Sequence, residues 1–364
     1  MAQQLDRFRV AVETRTPYRE RLVYFWSNHF TVSRRGRPQI AGSCVAYENE
    51  AIRASLDGHF SDMLLAVTAH PVMLLYLDNV QSMGPDSLIG RRRGRGLNEN
   101  LAREILELHT LGVHGGYGQD DVKALAGMLT GWTVGSERFP GLGGEPGAFT
   151  FVPAMHQPGS FRLLGRRYPE DGVRQARAVL TDLARHPATA EHVATRLVRH
   201  FVADEPPAGA VQAIARVFAE TDGHLPSLHA ALPELPDAWD PDRRKLKTPF
   251  ELLVSAHRGL DLPVGPARSV LGPLRLLNHL PFHAPSPAGW PEEAAHWGAP
   301  TALKQRIEWG LAMGRRLAGR VNVSRASERL VPAWDQSLAI QVDRAPSTGE
   351  GLGLLLAAPS FQWR

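Results

Sequence analysis

Between Asn98 and Trp132 the sequence carries two stretches in which apolar residues recur at spacings of three and four. The first stripe is Leu97, Leu101, Ile105 and Leu108, and the second is Val122, Leu125, Met128 and Leu129. This spacing places apolar side chains on one face of an α-helix, so each stretch predicts a helix that packs through that face. The glycine-containing connection Val113–Gln119 between them predicts an antiparallel helical hairpin.

Helical patterns of this kind recur along most of the chain. Two of their boundaries are His-Pro pairs, at 70–71 and 186–187, because proline suits the first turn of a helix and excludes helical geometry from the residue before it. Segments 149–153 and 162–167 look like short strands, which we expect to form a small hairpin around His156, and 84–96 looks like a loop. We therefore predict an all-α fold, built from helix hairpins or a bundle, with a small β-hairpin excursion.

Length and composition predict a single large helical domain over 1–364. A possible division is an N-terminal helical half (1–134), a β excursion (149–170) and a C-terminal helical half (171–330). The chain is mildly basic, with a net charge of +4, but contains no nucleic-acid-binding motif. Cys44 is the only cysteine, which excludes an intramolecular disulfide and a cluster of thiolate metal ligands.

The N-terminal segment and the apolar runs indicate where in the cell the protein is located. The N-terminal segment is charged and lacks the apolar centre of an export signal. The apolar run from Met63 to Leu77 is interrupted by His70-Pro71 and is too short to span a bilayer. We expect a soluble, cytoplasmic protein without a membrane span as the sequence is written, and an exported or periplasmic one if the true N-terminus lies upstream.

The polar side of the first helix is unusual. Asn98 is suited to cap the helix, because its amide oxygen can accept from a free backbone N–H. Glu99, Arg103 and Glu107 are spaced four apart, so the arginine can bridge two carboxylates. Glu104 lies at the border of the apolar face, where its carboxylate is partly desolvated. The residues are either a structural ion-pair lattice or part of a site.

Candidate site residues come from this helix and from two other positions. The catalytic candidates are Glu104, His109, His29 and Asn98, and the candidate metal ligands are Glu104, Glu107, His29 and His156. Glutamate and histidine can hold a divalent metal or act as general acid and base. Glu104 and Glu107, three apart, can reach one centre, as in di-metal helical bundles, but neither is followed three residues later by the histidine that such bundles use.

Several longer stretches resemble one family. They are FWSNHFTVS at 25–33, HPVMLLYLDN at 70–79, GLNENLAREILELHTLG at 96–112, GGYGQDDV at 115–122, LTGW at 129–132, HPATAEHVATRLVRHFVADEPP at 186–207, KTPFE at 247–251 and PSPAGWP at 285–291. On these motifs the chain resembles the bacterial family called domain of unknown function 1800. The resemblance implies a predominantly helical fold, frequent export and a neighbouring gene for a sulfatase- or alkaline-phosphatase-like protein. It implies no established reaction.

The chain departs from that family pattern at three positions. The family usually has aspartate where this chain has His114, asparagine where it has Asp86, and an acidic residue where it has Gln157. The change at Gln157 argues against a carboxylate-based role for that turn.

Two functions remain open at this stage. The first is a metal-assisted enzyme, hydrolytic or oxidative, with a His/Glu/Asn pocket between helices and a divalent metal as its possible cofactor. The second is a non-catalytic binding or assembly partner of the sulfatase-like neighbour. Burial discriminates between them: Glu104 and Glu107 facing a cleft beside His29 or His109 would favour the enzyme. Arg103 bound to both neighbouring carboxylates, with Glu104 in solvent, would favour the partner.

Overall fold

The computed structural model describes residues 1–94, 96–137, 143–240, 245–332 and 335–364. Most of them lie in helices. In chain order these are α1 Ala2–Glu13, α2 Pro17–His29, α3 Cys44–Tyr47, α4 Phe60–Ala69, α5 Pro71–Tyr76, α6 Leu88–Arg93, α7 Asn100–Glu104, α8 Gln119–Leu129, α9 Val173–Ala184, α10 Pro187–Phe201, α11 Ala208–Glu220, α12 Leu225–Ala231, α13 Pro249–Gly259, α14 Ala267–Leu276, α15 Ala294–Trp297, α16 Pro300–Leu317, α17 Val323–Leu330, α18 Gln336–Asp343, α19 Thr348–Ala357 and α20 Pro359–Gln362.

The predicted fold class is confirmed, since the described residues are mainly helical with two small antiparallel sheets. Both His-Pro pairs begin helices as expected, with Pro71 at the start of α5 and Pro187 at the start of α10. In each pair the histidine ring also caps the helix: Nδ1 of His70 accepts from Val72 N at 3.2 Å, and Nδ1 of His186 accepts from Ala188 N at 3.2 Å. Proline fixes the first turn, and histidine supplies the acceptor for it.

Two helices contain π-helical turns that the sequence patterns did not predict. The helix expected from Asn98 onward is α7 followed by a π-helix, Ile105–His109, and α3 continues into a second π-helix, Glu48–Ile52. A π turn holds one extra residue and leaves carbonyls without their usual i→i−4 partners. One such carbonyl, on Ile105, accepts from the Thr110 hydroxyl at 2.6 Å.

The strand pairing differs from the predicted hairpin. β1 (Trp132–Val134) pairs with β2 (Phe149–Phe151), and β3 (Phe161–Leu163) pairs with β4 (Arg166–Tyr168), both antiparallel. Between β2 and β3 the chain forms a 3₁₀ turn at Pro153–Met155, which prevents a direct hairpin. A two-residue turn, Leu164-Gly165, joins β3 to β4 instead, with φ of 46° and 79°, as tight hairpin turns require.

The segment expected to be a loop at 84–96 contains a helix. The Ser87 hydroxyl accepts from Gly90 N at 3.0 Å and so caps α6, whose last residues are Arg91, Arg92 and Arg93. Arginine is a good helix former, and three positive charges at a helix C-terminus favour the helix dipole. Arg95 lies outside the described residues.

The buried apolar residues form one large cluster and several smaller ones. The large cluster draws on α2, α4, α5, α7–α12 and the π-helices. A second cluster joins α13 to α16–α20, and a third joins α1, α13 and α14. Helix α13 belongs to both smaller clusters, which places its N-terminal end beside α1 and α2. This junction is where the largest group of buried charges lies.

Among the described residues no helix combines the length and apolar character needed to cross a lipid bilayer.

Candidate functional site

A partly enclosed cavity, called here the buried cavity, lies where α1, α2 and α13 meet the segment Pro281–Glu292. Its volume is about 100 Å³, which is space for several waters or a small molecule. Aromatic side chains form part of its wall, namely Tyr24, Phe250, Phe282 and Trp290. Charged side chains from five separate parts of the chain also line it.

Glu48 enters the wall of the buried cavity from the start of the second π-helix. Its Oε2 accepts from the Ser27 hydroxyl at 2.8 Å and pairs with Nη2 of Arg7 at 2.8 Å. Burial raises the pKa of Glu48, and Arg7 and Ser27 only partly oppose this effect. Glu48 is therefore a carboxyl group that holds its proton more tightly than an exposed glutamate.

Glu251 reaches the same cavity from the first turn of α13, where it forms a capping box with Thr248. Its Oε1 lies 3.0 Å from Nη2 of Arg364 and 3.9 Å from Nη2 of Arg21. Burial alone would raise the pKa of Glu251, but these two arginines hold it well below its usual range. Glu251 is therefore ionised at neutral pH.

Glu292 is the third carboxyl group of the buried cavity. Its Oε1 accepts from Nδ1 of His200 at 2.7 Å, while Oε2 is buried without a hydrogen-bond donor among the described residues. Burial opposes ionisation here too, but His200 and nearby cationic groups lower the pKa of Glu292 to about 2. The cavity thus contains one carboxyl group with a raised pKa and two with lowered ones.

The two arginines that line the buried cavity are held differently. The guanidinium of Arg7 lies 4.7 Å from the ring centroids of both Tyr24 and Phe282, in addition to its pair with Glu48. Arg21 lies over the Phe201 ring at 5.2 Å, and burial, with Arg364 nearby, lowers its pKa to about 10. Arg7 is fixed on three sides, whereas Arg21 is not hydrogen-bonded to Glu251 at 3.9 Å.

Asn28 fixes the part of the wall that carries Trp290. Its Oδ1 accepts from Trp290 N at 2.7 Å and its Nδ2 donates to Trp290 O at 3.0 Å. The preceding Gly289 has φ of +87°, and a Cβ at that position would lie 2.6 Å from the Asn28 carbonyl oxygen. Only glycine allows this close approach without strain.

A second depression, called here the open cleft, lies on the other side of the segment Pro281–Glu292. The open cleft is larger and more polar than the buried cavity, with a volume of about 380 Å³. Ala284 borders both of them. Glu104, Asn100 and Tyr76 form part of its wall. Burial and the neighbouring Glu107 raise the pKa of Glu104, as its position at the border of the apolar face predicted.

The predicted catalytic residues are divided between two environments. His29 and His109 lie together in the core, with ring centroids 6.4 Å apart, whereas Glu104 lines the open cleft. Nε2 of His29 donates to the carbonyl oxygen of His109 at 3.1 Å, and Nε2 of His192 donates to that of Leu108 at 3.0 Å. Both rings therefore bind carbonyls at the end of the π-helix.

His109 itself is fully buried, and burial lowers its pKa to about 3. Its Nδ1 has no hydrogen-bond partner among the described residues. The N-cap of α7 is Glu99, one residue later than predicted, but the Oδ1 of Asn98 does accept from a free backbone N–H of the first turn, that of Asn100, at 3.0 Å. Its Nδ2 donates to Asp78 O at 3.3 Å.

The predicted metal ligands are likewise not gathered in one place. In the described ranges, no group of three or more His, Cys, Asp or Glu residues is arranged to hold a metal ion. His156, expected on an exposed turn, is buried, and its Nδ1 donates to Thr130 O at 2.9 Å. Arg103 pairs with Glu99 at 3.0 Å and contacts Gln119, but no described residue forms an ion pair with Glu107. The π turn after Glu104 changes the spacing on which the predicted double bridge depends.

The sequence motifs did not predict the charged residues of the buried cavity. Glu48, Glu251, Glu292, Arg7 and Arg21 are far apart in sequence, and none forms a local pattern with another. A usable signal was present in the resemblance, because four of the quoted stretches meet at this cavity. These stretches are FWSNHFTVS, HPATAEHVATRLVRHFVADEPP, KTPFE and PSPAGWP.

Fold and site together define a predominantly helical protein with a charged cavity inside it. A family model described as a protein of unknown function (DUF1800) matches residues 2–363, so the chain belongs to this family, as the resemblance predicted. No curated protein and no solved structure matches the chain significantly.

Proposed function

We propose that the protein is an enzyme that hydrolyses a small polar molecule in the buried cavity by general acid–base catalysis. The observation that carries this proposal is the opposed pKa shifts of carboxyl groups on one cavity wall: raised for Glu48, lowered for Glu251 and Glu292. Environments that push the pKa values of neighbouring carboxyl groups apart are typical of acid–base pairs in enzymes.

Glu48 is the proton donor in this proposal, because burial keeps it protonated to higher pH than an exposed glutamate. Glu251 is the fixed negative charge in this proposal, because Arg364 and Arg21 keep it ionised; it attracts and orients the attacking water. In hydrolysis the protonated Glu48 donates its proton to the leaving group, and the Glu48 carboxylate that results accepts the proton that the attacking water releases. The low polarity of the aromatic wall strengthens both electrostatic effects.

This location differs from the one that the sequence motifs indicated. Glu104 also has a raised pKa, but His29 and His109 lie in the core. Nε2 of His29 is bound to a backbone carbonyl, and Nδ1 of His109 is buried without a hydrogen-bond partner among the described residues. A centre that needs Glu104 and His109 together is therefore less well supported than one at Glu48 and Glu251.

The test is a hydrolysis screen of purified protein against chromogenic esters, amides, glycosides and phosphate esters, followed by the variant Glu48→Gln. This variant keeps the shape of the side chain and can keep its contact with Ser27, but it cannot donate a carboxyl proton. We expect a loss of roughly 100-fold to 10,000-fold in kcat. Activity of the natural protein should also fall as the pH rises through the pKa of Glu48, since only the protonated form donates.

Glu20→Gln is the matched control for this experiment. Glu20 is another buried carboxylate, paired with Arg53 at 2.7 and 2.8 Å, but it does not line the buried cavity. We expect the control to keep activity within a few-fold. Equal activity in Glu48→Gln and the natural protein, with both folded, would refute the proposed role.

A second candidate function, docking to a partner such as the sulfatase-like neighbour, is favoured by one observation. On α16 the apolar side chains of Leu303 and Ile307 are exposed at 44% and 37%, four residues apart and therefore on one face. Co-purification of the two proteins, lost in the double variant Leu303→Ser/Ile307→Ser, would support this function. Failure of the natural proteins to co-purify would reject it.

A further inference from the structure

The charged side chains around the buried cavity are paired with one another, with a single exception. The pairs are Arg7 with Glu48 at 2.8 Å, Arg364 with Glu251 at 3.0 Å, and His200 with Glu292 at 2.7 Å. The exception is Arg21. The polar atoms of this wall that have no hydrogen-bond partner among the described residues are Nε of Arg7, Nε and Nη2 of Arg21, and Oε2 of Glu292. Arg7 is already paired with Glu48 through Nη2, so Arg21 and Glu292 are the groups that a ligand would complete.

The first of these groups is Arg21. Its Nε and Nη2 are buried without a hydrogen-bond acceptor among the described residues, and Glu251 is beyond hydrogen-bond distance at 3.9 Å. A buried donor without an acceptor is costly, so such a pair of donors indicates a ligand. The fork of Nε and Nη2 matches the two oxygens of a carboxylate. The side chain is 37% accessible and not held by a hydrogen bond, so it can turn these donors toward a bound anion.

The second unpartnered atom is Oε2 of Glu292. It belongs to an ionised carboxylate, and in the described part of the chain no donor contacts it. A carboxylate oxygen accepts hydrogen bonds and donates none. The missing partner is therefore a donor, such as an ammonium or hydroxyl group.

Charge decides between a carboxylate and a phosphate as the anion. Glu251 and Glu292 are both ionised on the cavity wall, so a ligand with two negative charges would be repelled by two carboxylates in a site of low polarity. A single negative charge opposite Arg21 avoids most of this repulsion. Tyr24, Phe250, Phe282 and Trp290 offer an apolar surface for the rest of the ligand.

We infer that the buried cavity binds a small monocarboxylate that also carries a hydrogen-bond donor, of the amino-acid or hydroxy-acid type. The carboxylate contacts Arg21, the donor contacts Glu292, and the apolar part lies against the aromatic wall. This inference rests on the proposed function, because it names the part of the substrate that the same site holds and that hydrolysis of its ester or amide would release. Binding, however, is measured without turnover, so the two can fail separately.

The experiment is isothermal titration calorimetry with a matched set of probes. L-phenylalanine and 3-phenyllactate carry both groups, 3-phenylpropionate carries only the carboxylate, phenethylamine carries only the donor, and phenyl phosphate tests the dianion. We expect at least one of the first two to bind, and the other three to bind roughly tenfold more weakly or worse. Equal binding of all five, or binding of none, would overturn the inference.

Variants then assign the contacts. Arg21→Gln should weaken binding of the carboxylate probes by roughly tenfold to 100-fold, and Glu292→Gln should weaken the preference for probes with a donor. The control is Arg19→Gln, because Arg19 lies on the same helix but pairs with Asp57 at the surface at 2.7 Å. We expect this control to bind as the natural protein does.

Folding of each variant is checked by thermal unfolding. If Arg21→Gln does not fold, Arg21→Lys keeps the charge but loses the fork, and it should still weaken the carboxylate probes relative to phenethylamine. Unchanged affinity in a folded Arg21 variant would overturn the inference. Glu48→Gln separates the two proposals: probe binding that survives in an inactive variant supports both, whereas full activity in it refutes only the catalytic role.

Discussion

The buried cavity and the open cleft are separated by one segment of chain, yet their carboxyl groups behave differently. In the cavity, burial raises the pKa of Glu48 by more than Arg7 lowers it, whereas at Glu251 the arginines Arg364 and Arg21 outweigh burial and lower the pKa. In the cleft, Glu104 has a raised pKa from burial and from another carboxylate, Glu107, and the space around it opens more to solvent. Enclosure makes the local pairing of charges decisive, whereas water weakens it in the cleft.

This difference predicts a large contrast in stability between two glutamate variants. Glu251→Ala removes the partner of Arg364 and leaves Arg21 and Arg364 facing each other without a carboxylate. We expect a loss of about 3–5 kcal/mol in the free energy of unfolding, measured by urea denaturation. Glu104→Ala, in the cleft, should cost roughly 0.5 kcal/mol or less. Similar losses for the two variants would remove the distinction between the regions.

A smaller effect is expected at the segment that separates them. Gly289→Ala forces a Cβ to 2.6 Å from the Asn28 carbonyl oxygen at a φ of +87°. The left-handed backbone costs about 1–2 kcal/mol, and the close approach adds to it. Gly36→Ala is the control, because φ there is +69° but nothing lies within 4 Å of the added atom. In thermal unfolding we expect Gly36→Ala to lower the melting temperature less than Gly289→Ala does. The reverse order would mean that the wall of the cavity moves away from the added Cβ at little cost.

The smallest effect concerns pH. His279 lines the buried cavity, and burial lowers its pKa to about 3. The unfolded chain takes up a proton near pH 6.5 and the folded chain does not, so stability is complete above that pH and is lost as the pH falls below it. The slope approaches about 1.4 kcal/mol per pH unit for one such histidine.

The comparison is made by measuring unfolding between pH 7.5 and pH 5 for the natural protein and for His279→Gln. Glutamine can accept the hydrogen bond that Phe250 N donates to Nδ1 of His279 at 3.3 Å. We expect a shallower pH dependence in this variant and an unchanged one in His114→Gln, since His114 is exposed. Equal slopes in all three proteins would show that His279 is not held neutral.

Local chemistry predicted the fold well where it acts over a few residues. The helix starts at the two His-Pro pairs, the Asn98 contact and the desolvation of Glu104 all follow from spacing and side-chain type. The π turns could not be predicted in this way, because one extra residue in a helix leaves the apolar stripe almost unchanged. His29 and His192, which bind the carbonyls at the end of the π-helix Ile105–His109, are also remote from it in sequence. Their role as caps is therefore visible only in the structure.

The buried cavity was beyond local prediction for a different reason. Its charged pairs join residues such as Arg7 and Glu48, or Arg364 and Glu251, which only the packing of α1, α2 and α13 brings together. Two of the positions at which the resemblance implies other residues, 86 and 157, also meet only in the folded chain. The backbone N of Asp86 donates to Oε1 of Gln157, and Nε2 of Gln157 donates to Oδ2 of Asp86, each at 3.0 Å.

The π-helix Ile105–His109 also has a consequence for how related chains should be aligned. A π turn is an α-helix with one residue inserted, so a relative with a single-residue gap at this point would close into a regular α-helix. The carbonyls of Leu108 and His109 would then be turned by about 100° around the helix axis, and the histidines corresponding to His192 and His29 would lose their acceptors. A gap of one in this helix and replacement of those two histidines should therefore occur together.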